Sequence, residues 1–177
     1  MAEEIDRLVV AVNGVAITEG DLDLARNLKS IIILGKTTVA VSRREEIERQ
    51  IDQELMRQEL KNFALSDEEN KVDARMQALR EAYAAKGGLG ELLRRTGMQE
   101  SELISYIRLE TSILRFVDFR FRPFVSVSPE EILAYYKNRL MPQLQKAGIG
   151  LPAIEQVSGR IDSILREEKI NEALDQW

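Results

Sequence analysis

The sequence predicts a mainly α-helical protein. It should be a multi-helix domain with a short N-terminal β-hairpin and a C-terminal helix packing back on it, in cis or exchanged between two chains. Three observations carry this. Residues 102–121, ELISYIRLETSILRFVDFRF, are the most apolar long run and contain no Gly or Pro. Helix-start signatures recur along the chain, at Thr18, Ser42, Ser66 and Ser128. Asn13-Gly14 lies between two apolar runs, Leu8–Val12 and residues 15–17, and marks a tight hairpin because both turn residues must adopt positive φ.

Taken in order, Leu8–Val12 is too apolar for a free ribbon and should lie against helices. Thr18 with Asp21 is close to a capping box and opens a helix over residues 19–34 that stops at Gly35. Residues 37–41 read as extended or loop. Ser42 with Glu45 opens a second helix reaching about Ala64, with Ile47, Ile51, Leu55, Met56, Leu60 and Phe63 inward. These positions drift around the axis, so this helix should contact more than one neighbour. Ser66 with Glu69 opens a third helix carrying Val72, Met76, Leu79 and Tyr83, which ends at Gly87-Gly88. Leu89–Arg95 is a short helix or turn closed by Gly97.

Residues 102–121 follow. At about 100° per residue their apolar side chains cover more than half the circumference, while Ser105, Arg108, Ser112 and Arg115 hold the remaining arc. Such a helix should be surrounded by others. Glu110 points into the apolar arc and needs a partner or a solvent opening. Arg122-Pro123 ends the helix. Ser128-Pro129-Glu130-Glu131 places an N-cap, a Pro at N1 and a Glu at N3 before a helix with Ile132, Leu133, Tyr135, Tyr136 and Leu140. Residues 142–152 read as a linker with Gly148 and Gly150. Pro152 opens a last amphipathic helix ending at Trp177. The domain plan is a helical core over residues 1–136, a linker over 137–151, and a helix over 152–177 completing the same domain.

Composition narrows function. A charged fraction of 31% beside 44% hydrophobic residues suits a folded helical chain rather than a disordered one. A net charge of −5 argues against nucleic acid as a partner. No apolar run approaches the ~20 residues that span a bilayer, and no signal peptide is recognisable in residues 1–4. The chain has no Cys and no His, which removes thiolate chemistry, the commonest general base and the commonest zinc ligand. The expectation is a non-enzyme with no cofactor and no metal.

Gly35-Lys36-Thr37 imitates the end of a phosphate-binding loop, but the pattern needs a glycine where Ser30 stands, and a strand where a helix is predicted. Gly87, Gly88, Gly90 and Gly97 read as helix ends. The acidic groups at Asp67-Glu68-Glu69 and Glu130-Glu131 fall in first helical turns, where the helix dipole favours carboxylates. Arg43-Arg44 and Arg94-Arg95 read as solvated faces. Aromatic residues concentrate between Tyr106 and Tyr136. Most should be core, but Phe119 falls outside the main apolar arc and is a candidate for exposure beside a groove.

Several segments, in order, resemble the SurA N-terminal domain family, the chaperone modules of SurA-like and PpiD-like periplasmic folding factors. They are residues 10–18 (VAVNGVAIT) with Asp21-Leu22-Asp23, residues 53–60 (QELMRQEL), and residues 65–69 (LSDEE). Residues 120–128 (RFRPFVSVS), with Glu130-Glu131-Ile132 and Tyr135-Tyr136, and residues 157–174 complete the set. Two departures stand out. Val15 replaces the acidic residue usual after Asn-Gly, and residues 137–151 leave no room for the parvulin-type prolyl isomerase domain common at that place.

The resemblance implies an ATP-independent periplasmic or extracytoplasmic holdase. Its partners would be unfolded polypeptides or outer-membrane protein precursors, held in an apolar groove, and isomerase activity is not carried over. Candidate client-binding residues are Phe63, Met76, Tyr83, Tyr106, Phe116, Phe119 and Phe124. A homodimer formed by exchange of the last helix is a further expectation. The alternative is a structural or dimerisation module of an envelope assembly factor.

Overall fold

The computed structural model describes residues 6–34, 41–63 and 69–177. They form a mainly α-helical fold with one antiparallel hairpin near the N-terminus. The chain makes two compact units, Met1–Arg115 and Phe116–Trp177.

In unit 1, β1 (Leu8–Val12) pairs with β2 (Val15–Thr18) through an Asn13-Gly14 turn whose φ values are 49° and 84°. Positive φ at both central positions matches the twist of the strands. Val12 and Ile17 bury their side chains with Leu22 of α1 (Glu19–Ile32), and Ile47 and Ile51 of α2 (Arg43–Leu60) pack on that cluster. The hairpin therefore lies against helices, as its apolarity requires.

Thr18 caps α1, and Asp21 answers from N3 in a full capping box. Asp6 reinforces this end: its Oδ1 accepts the Gly20 N–H at 3.0 Å, and its Oδ2 accepts the Thr18 hydroxyl at 2.5 Å. Those bonds, the Thr18 hydroxyl foremost, hold the Asp6 carboxyl below the usual carboxylate range.

The helix closes at Ile32, earlier than predicted, and Leu34 takes the left-handed conformation (φ 58°) that helix ends most often give to glycine. The proposed stop at Gly35, the loop to Ala40 and the Gly35-Lys36-Thr37 motif lie outside the described residues. So do Ala64, the Ser66 cap and the acidic pair Asp67-Glu68.

Ser42 and Glu45 form the predicted capping box of α2. Glu54 and Met56 are buried, whereas Leu55, expected inward, is exposed. At 100° per residue Glu54 and Met56 bound an inward arc of about 160°, and Leu55 falls opposite it.

The main core of unit 1 joins α1 to α3 (Glu69–Ala84), α4 (Leu89–Arg95) and the first turns of α5 (Glu100–Phe121). The predicted stripe Val72, Met76, Leu79 and Tyr83 is buried in full, against Leu28, Leu93, Leu103 and Ile107 among others. Tyr83 satisfies its hydroxyl by donating to the Ile31 carbonyl at 3.0 Å, tying α3 to α1. The expectation that α5 is surrounded holds only in part. Leu103 is fully buried, but Leu114 is 67% exposed, because the apolar arc is wider than its neighbours cover.

In unit 2, α8 (Ile154–Gln176) packs on the helix Pro129–Tyr135, and Trp177 beyond it meets the end of α5. Phe116 and Phe121 stand edge to face at 6.4 Å, and the Trp177 ring lies 5.7 Å from Phe116 and 6.3 Å from Phe121. Ile161 and Ile170 complete the buried apolar set. A short 3-10 turn at Arg122–Phe124 leads to extended backbone, whose carbonyls α8 satisfies. Arg166 donates to the Val125 carbonyl at 3.0 Å and Lys169 to that of Ser126 at 2.7 Å. Lys169 also pairs with Glu131 of α6 (Pro129–Tyr135), whose Ser128–Glu131 capping box forms as predicted.

The segment read as a linker is helical over much of its length. A π-helical turn, Tyr136–Leu140, runs into α7 (Met141–Lys146). Pro142 has no N–H to give an α-helical bond, and the Met141 N–H reaches back five residues to the Tyr136 carbonyl. The widened turn lets the helix pass the proline instead of stopping there. Gly148 then ends it at φ 67°. No helix among the described residues is long and apolar enough to cross a membrane.

Candidate functional site

Within unit 1, the C-terminal end of α2 and the middle of α5 border an open cleft of about 380 Å³. Leu60, Phe63 and Leu109 supply its apolar surface, Ser105 and Ser112 small hydroxyls, and Arg57, Lys61 and Arg108 its cations. Helical spacing explains the α5 side. Ser105, Arg108 and Ser112 recur at three- and four-residue intervals and fall on the polar arc already visible in the sequence. On α2, Arg57, Leu60 and Lys61 share a face for the same reason.

The cations are positioned by carboxylates outside the lining. Arg57 donates through Nε and Nη2 to Glu54 at 2.6 and 2.7 Å, and Gln58 donates to the same carboxylate at 2.6 Å. Gln58 also reaches the Val12 carbonyl at 3.3 Å and accepts from Asn13 at 2.9 Å, linking this end of α2 to the hairpin turn. The Arg57 guanidinium holds the Glu54 carboxyl below its ordinary range despite burial, with help from Gln58 and the nearby Lys61 charge. Arg108 donates through Nε and Nη2 to Glu69 at 2.8–3.1 Å. The Lys61 ammonium makes no hydrogen bond or ion pair among the described residues.

A second polar feature of α5 lies on another arc. Tyr106 lies beside Glu110, with Arg75 and Lys29 near enough to act on the carboxylate. Desolvation dominates both groups. It raises the Glu110 carboxyl above the ordinary range and, together with the Glu110 charge, pushes Tyr106 up to about 12. The carboxyl that the sequence places in the apolar arc is thus half-buried, with Tyr106 beside it one turn away.

Of the seven predicted client-binding residues, Phe63, Met76, Tyr83 and Tyr106 belong to unit 1 and Phe116, Phe119 and Phe124 to unit 2. Only Phe63 lines the cleft. Met76, Tyr83 and Phe116 are core side chains, at 2%, 7% and 0% exposure, and offer almost no surface to a client. Tyr106 is half-buried against the unit 1 core. Phe119 and Phe124, in unit 2, are exposed at 61% and 80%. Sequence reasoning missed Arg57, Lys61 and Arg108 as site residues. The available signal was their common spacing with Leu60 and with Ser105 and Ser112, together with Glu54 three residues before Arg57.

Among the described residues no cluster of three or more acidic side chains could hold a metal ion. Glu131 is engaged by Lys169, and its carboxyl lies below the ordinary range for that reason and through its bond to the Ser128 N–H. The described lining sets the apolar side chains of Leu60, Phe63 and Leu109 beside positive charge on Arg57, Lys61 and Arg108. Compared with known proteins, the chain matches no family model, no curated protein and no solved structure.

Proposed function

We propose that this chain is an ATP-independent holdase for non-native polypeptides, working in the periplasm or another extracytoplasmic space. Outer-membrane protein precursors would be among its clients. The observation that carries the reading is the open cleft between α2 and α5, lined on its apolar side by the half-buried Leu60, Phe63 and Leu109. Its size suits a few side chains of an extended segment rather than a folded partner. An open, shallow site cannot demand one shape, so binding should be weak, broad and reversible. The ordered resemblance to SurA-like modules supports the same reading. No bond is made or broken, and prolyl isomerisation should proceed at the background rate.

The test is light scattering during aggregation of several unrelated unfolded proteins. Suppression at near-stoichiometric ratios is expected, with Phe63→Asp weakening it while the circular dichroism stays native. Absence of suppression by the folded wild-type chain would overturn the reading.

A second reading, a structural or dimerisation module, is favoured by one observation. Phe119, Phe124, Ile149 and Trp177 all leave more than half their surface exposed in unit 2. Capture of one fixed partner, or a dimer formed by exchange of α8, would support it. A monomeric mass at micromolar concentration would remove the exchanged dimer.

A further inference from the structure

We infer that the cleft selects client segments in which a glutamate or aspartate side chain flanks apolar residues. This rests on the holdase reading and sharpens it. The argument is charge complementarity. The described lining holds Arg57, Lys61 and Arg108 and no carboxylate. Glu54 and Glu69 balance the two arginines from outside the lining and fix their planes.

Each guanidinium uses Nε and Nη2 in that pairing, which leaves Nη1 unengaged among the described residues. Lys61 adds a positive charge with no ion pair there. Among the described residues the cleft therefore has a surplus cation and two fixed, partly unused donors around the apolar surface of Leu60, Phe63 and Leu109. The chain as a whole is acidic, with 30 carboxylate side chains against 25 Lys and Arg. A local basic rim on an acidic molecule concentrates the attraction for an anionic segment at the cleft and repels it elsewhere. An apolar segment flanked by a carboxylate fits both parts of the site: its side chains enter the cleft and its carboxylate meets Lys61 and the free guanidinium edges.

The experiment uses the whole chain and short labelled peptides with blocked termini, so that no terminal carboxylate competes. The peptides share one apolar sequence and differ only in carrying Glu, Gln or Lys at the flanking positions. Fluorescence anisotropy should give the Glu peptide roughly three- to tenfold tighter binding than the Gln peptide at low salt, and the Lys peptide the weakest. The preference should vanish at high salt. Lys61→Glu, at an exposed position, should remove or invert the order, while Phe63→Ala weakens all three peptides alike.

Equal affinity for the three peptides, with aggregation still suppressed, would overturn this inference and leave the holdase reading standing. No binding and no suppression would overturn both. A concentration-dependent dimer that blocks peptide binding would overturn the inference in favour of a second copy of the chain as occupant.

Discussion

The two units bury apolar surface on different scales. Unit 1 has a continuous core in which α1, α3, α4 and α5 all take part, with a second cluster under the hairpin. In unit 2 the buried apolar side chains among the described residues are Phe116, Phe121, Ile161 and Ile170, while Phe119, Phe124, Leu133, Ile149, Leu151 and Trp177 stay exposed. A short stretch of chain has too little volume for its surface. Unit 2 offsets this with polar ties from α8 to backbone: Arg166 to Val125 and Lys169 to Ser126, with Arg139–Glu168 and Arg122–Glu167 beside them. Unit 1 thus spreads its stability over many contacts, and unit 2 concentrates it in a few rings and carbonyl bonds.

The largest expected effect tests that contrast directly. Phe116→Ala should cost about 3–5 kcal/mol, and Leu103→Ala, equally buried but in the broader core, about 2–4 kcal/mol. Urea denaturation of both variants measures the difference. A Leu103→Ala loss larger than that of Phe116→Ala would break the contrast.

Next, Glu54→Gln should cost about 1–2 kcal/mol at neutral pH, since Arg57 loses its charged acceptor. Glu54 has a lowered folded pKa, so its contribution is present above the ordinary carboxylate value and is lost as pH falls through the lowered one. The gap between wild type and Glu54→Gln should therefore close in acid.

A matched pair of cap deletions follows. Ser42→Ala in unit 1 and Ser128→Ala in unit 2 each remove a capping box and should cost about 1 kcal/mol. Hydrogen exchange should show the larger local loosening in unit 2, where less packing holds the helix in place.

The smallest effect has the opposite sign. Glu110 is raised by desolvation, so the folded state binds its proton more tightly than the unfolded state does. Its ionisation destabilises the fold above the raised pKa, and that penalty is relieved as pH falls through it. Glu110→Gln should raise the melting temperature slightly at neutral pH and lose its advantage on acidification.

Local chemistry was legible in the sequence. Asn13-Gly14, the Thr18, Ser42 and Ser128 caps, the Val72–Met76–Leu79–Tyr83 stripe and the bounds of α4 all follow from interactions within a turn or two of chain. What was not legible is set by distant neighbours. Leu55 and Leu114 are as apolar as their buried counterparts, and only the placing of other helices decides that they face outward. The density of aromatic residues could not separate Phe116, sealed in a core, from Phe119, three residues on and exposed. The cleft needs the end of α2 beside the middle of α5, residues about fifty positions apart, and no spacing along the chain encodes that meeting. Pro142 misled for a different reason: a single π-helical turn absorbs the defect that ordinarily ends a helix.

The ring of Trp177 against Phe116 and Phe121 turns one residue into an optical gauge. It is the only indole in the chain, so intrinsic emission reports on the aromatic seam of unit 2, whereas far-ultraviolet dichroism counts helices everywhere. Superimposable melting curves from the two signals would mean that the halves of the molecule unfold as one cooperative body; an emission change arriving first would mean that the smaller half lets go alone.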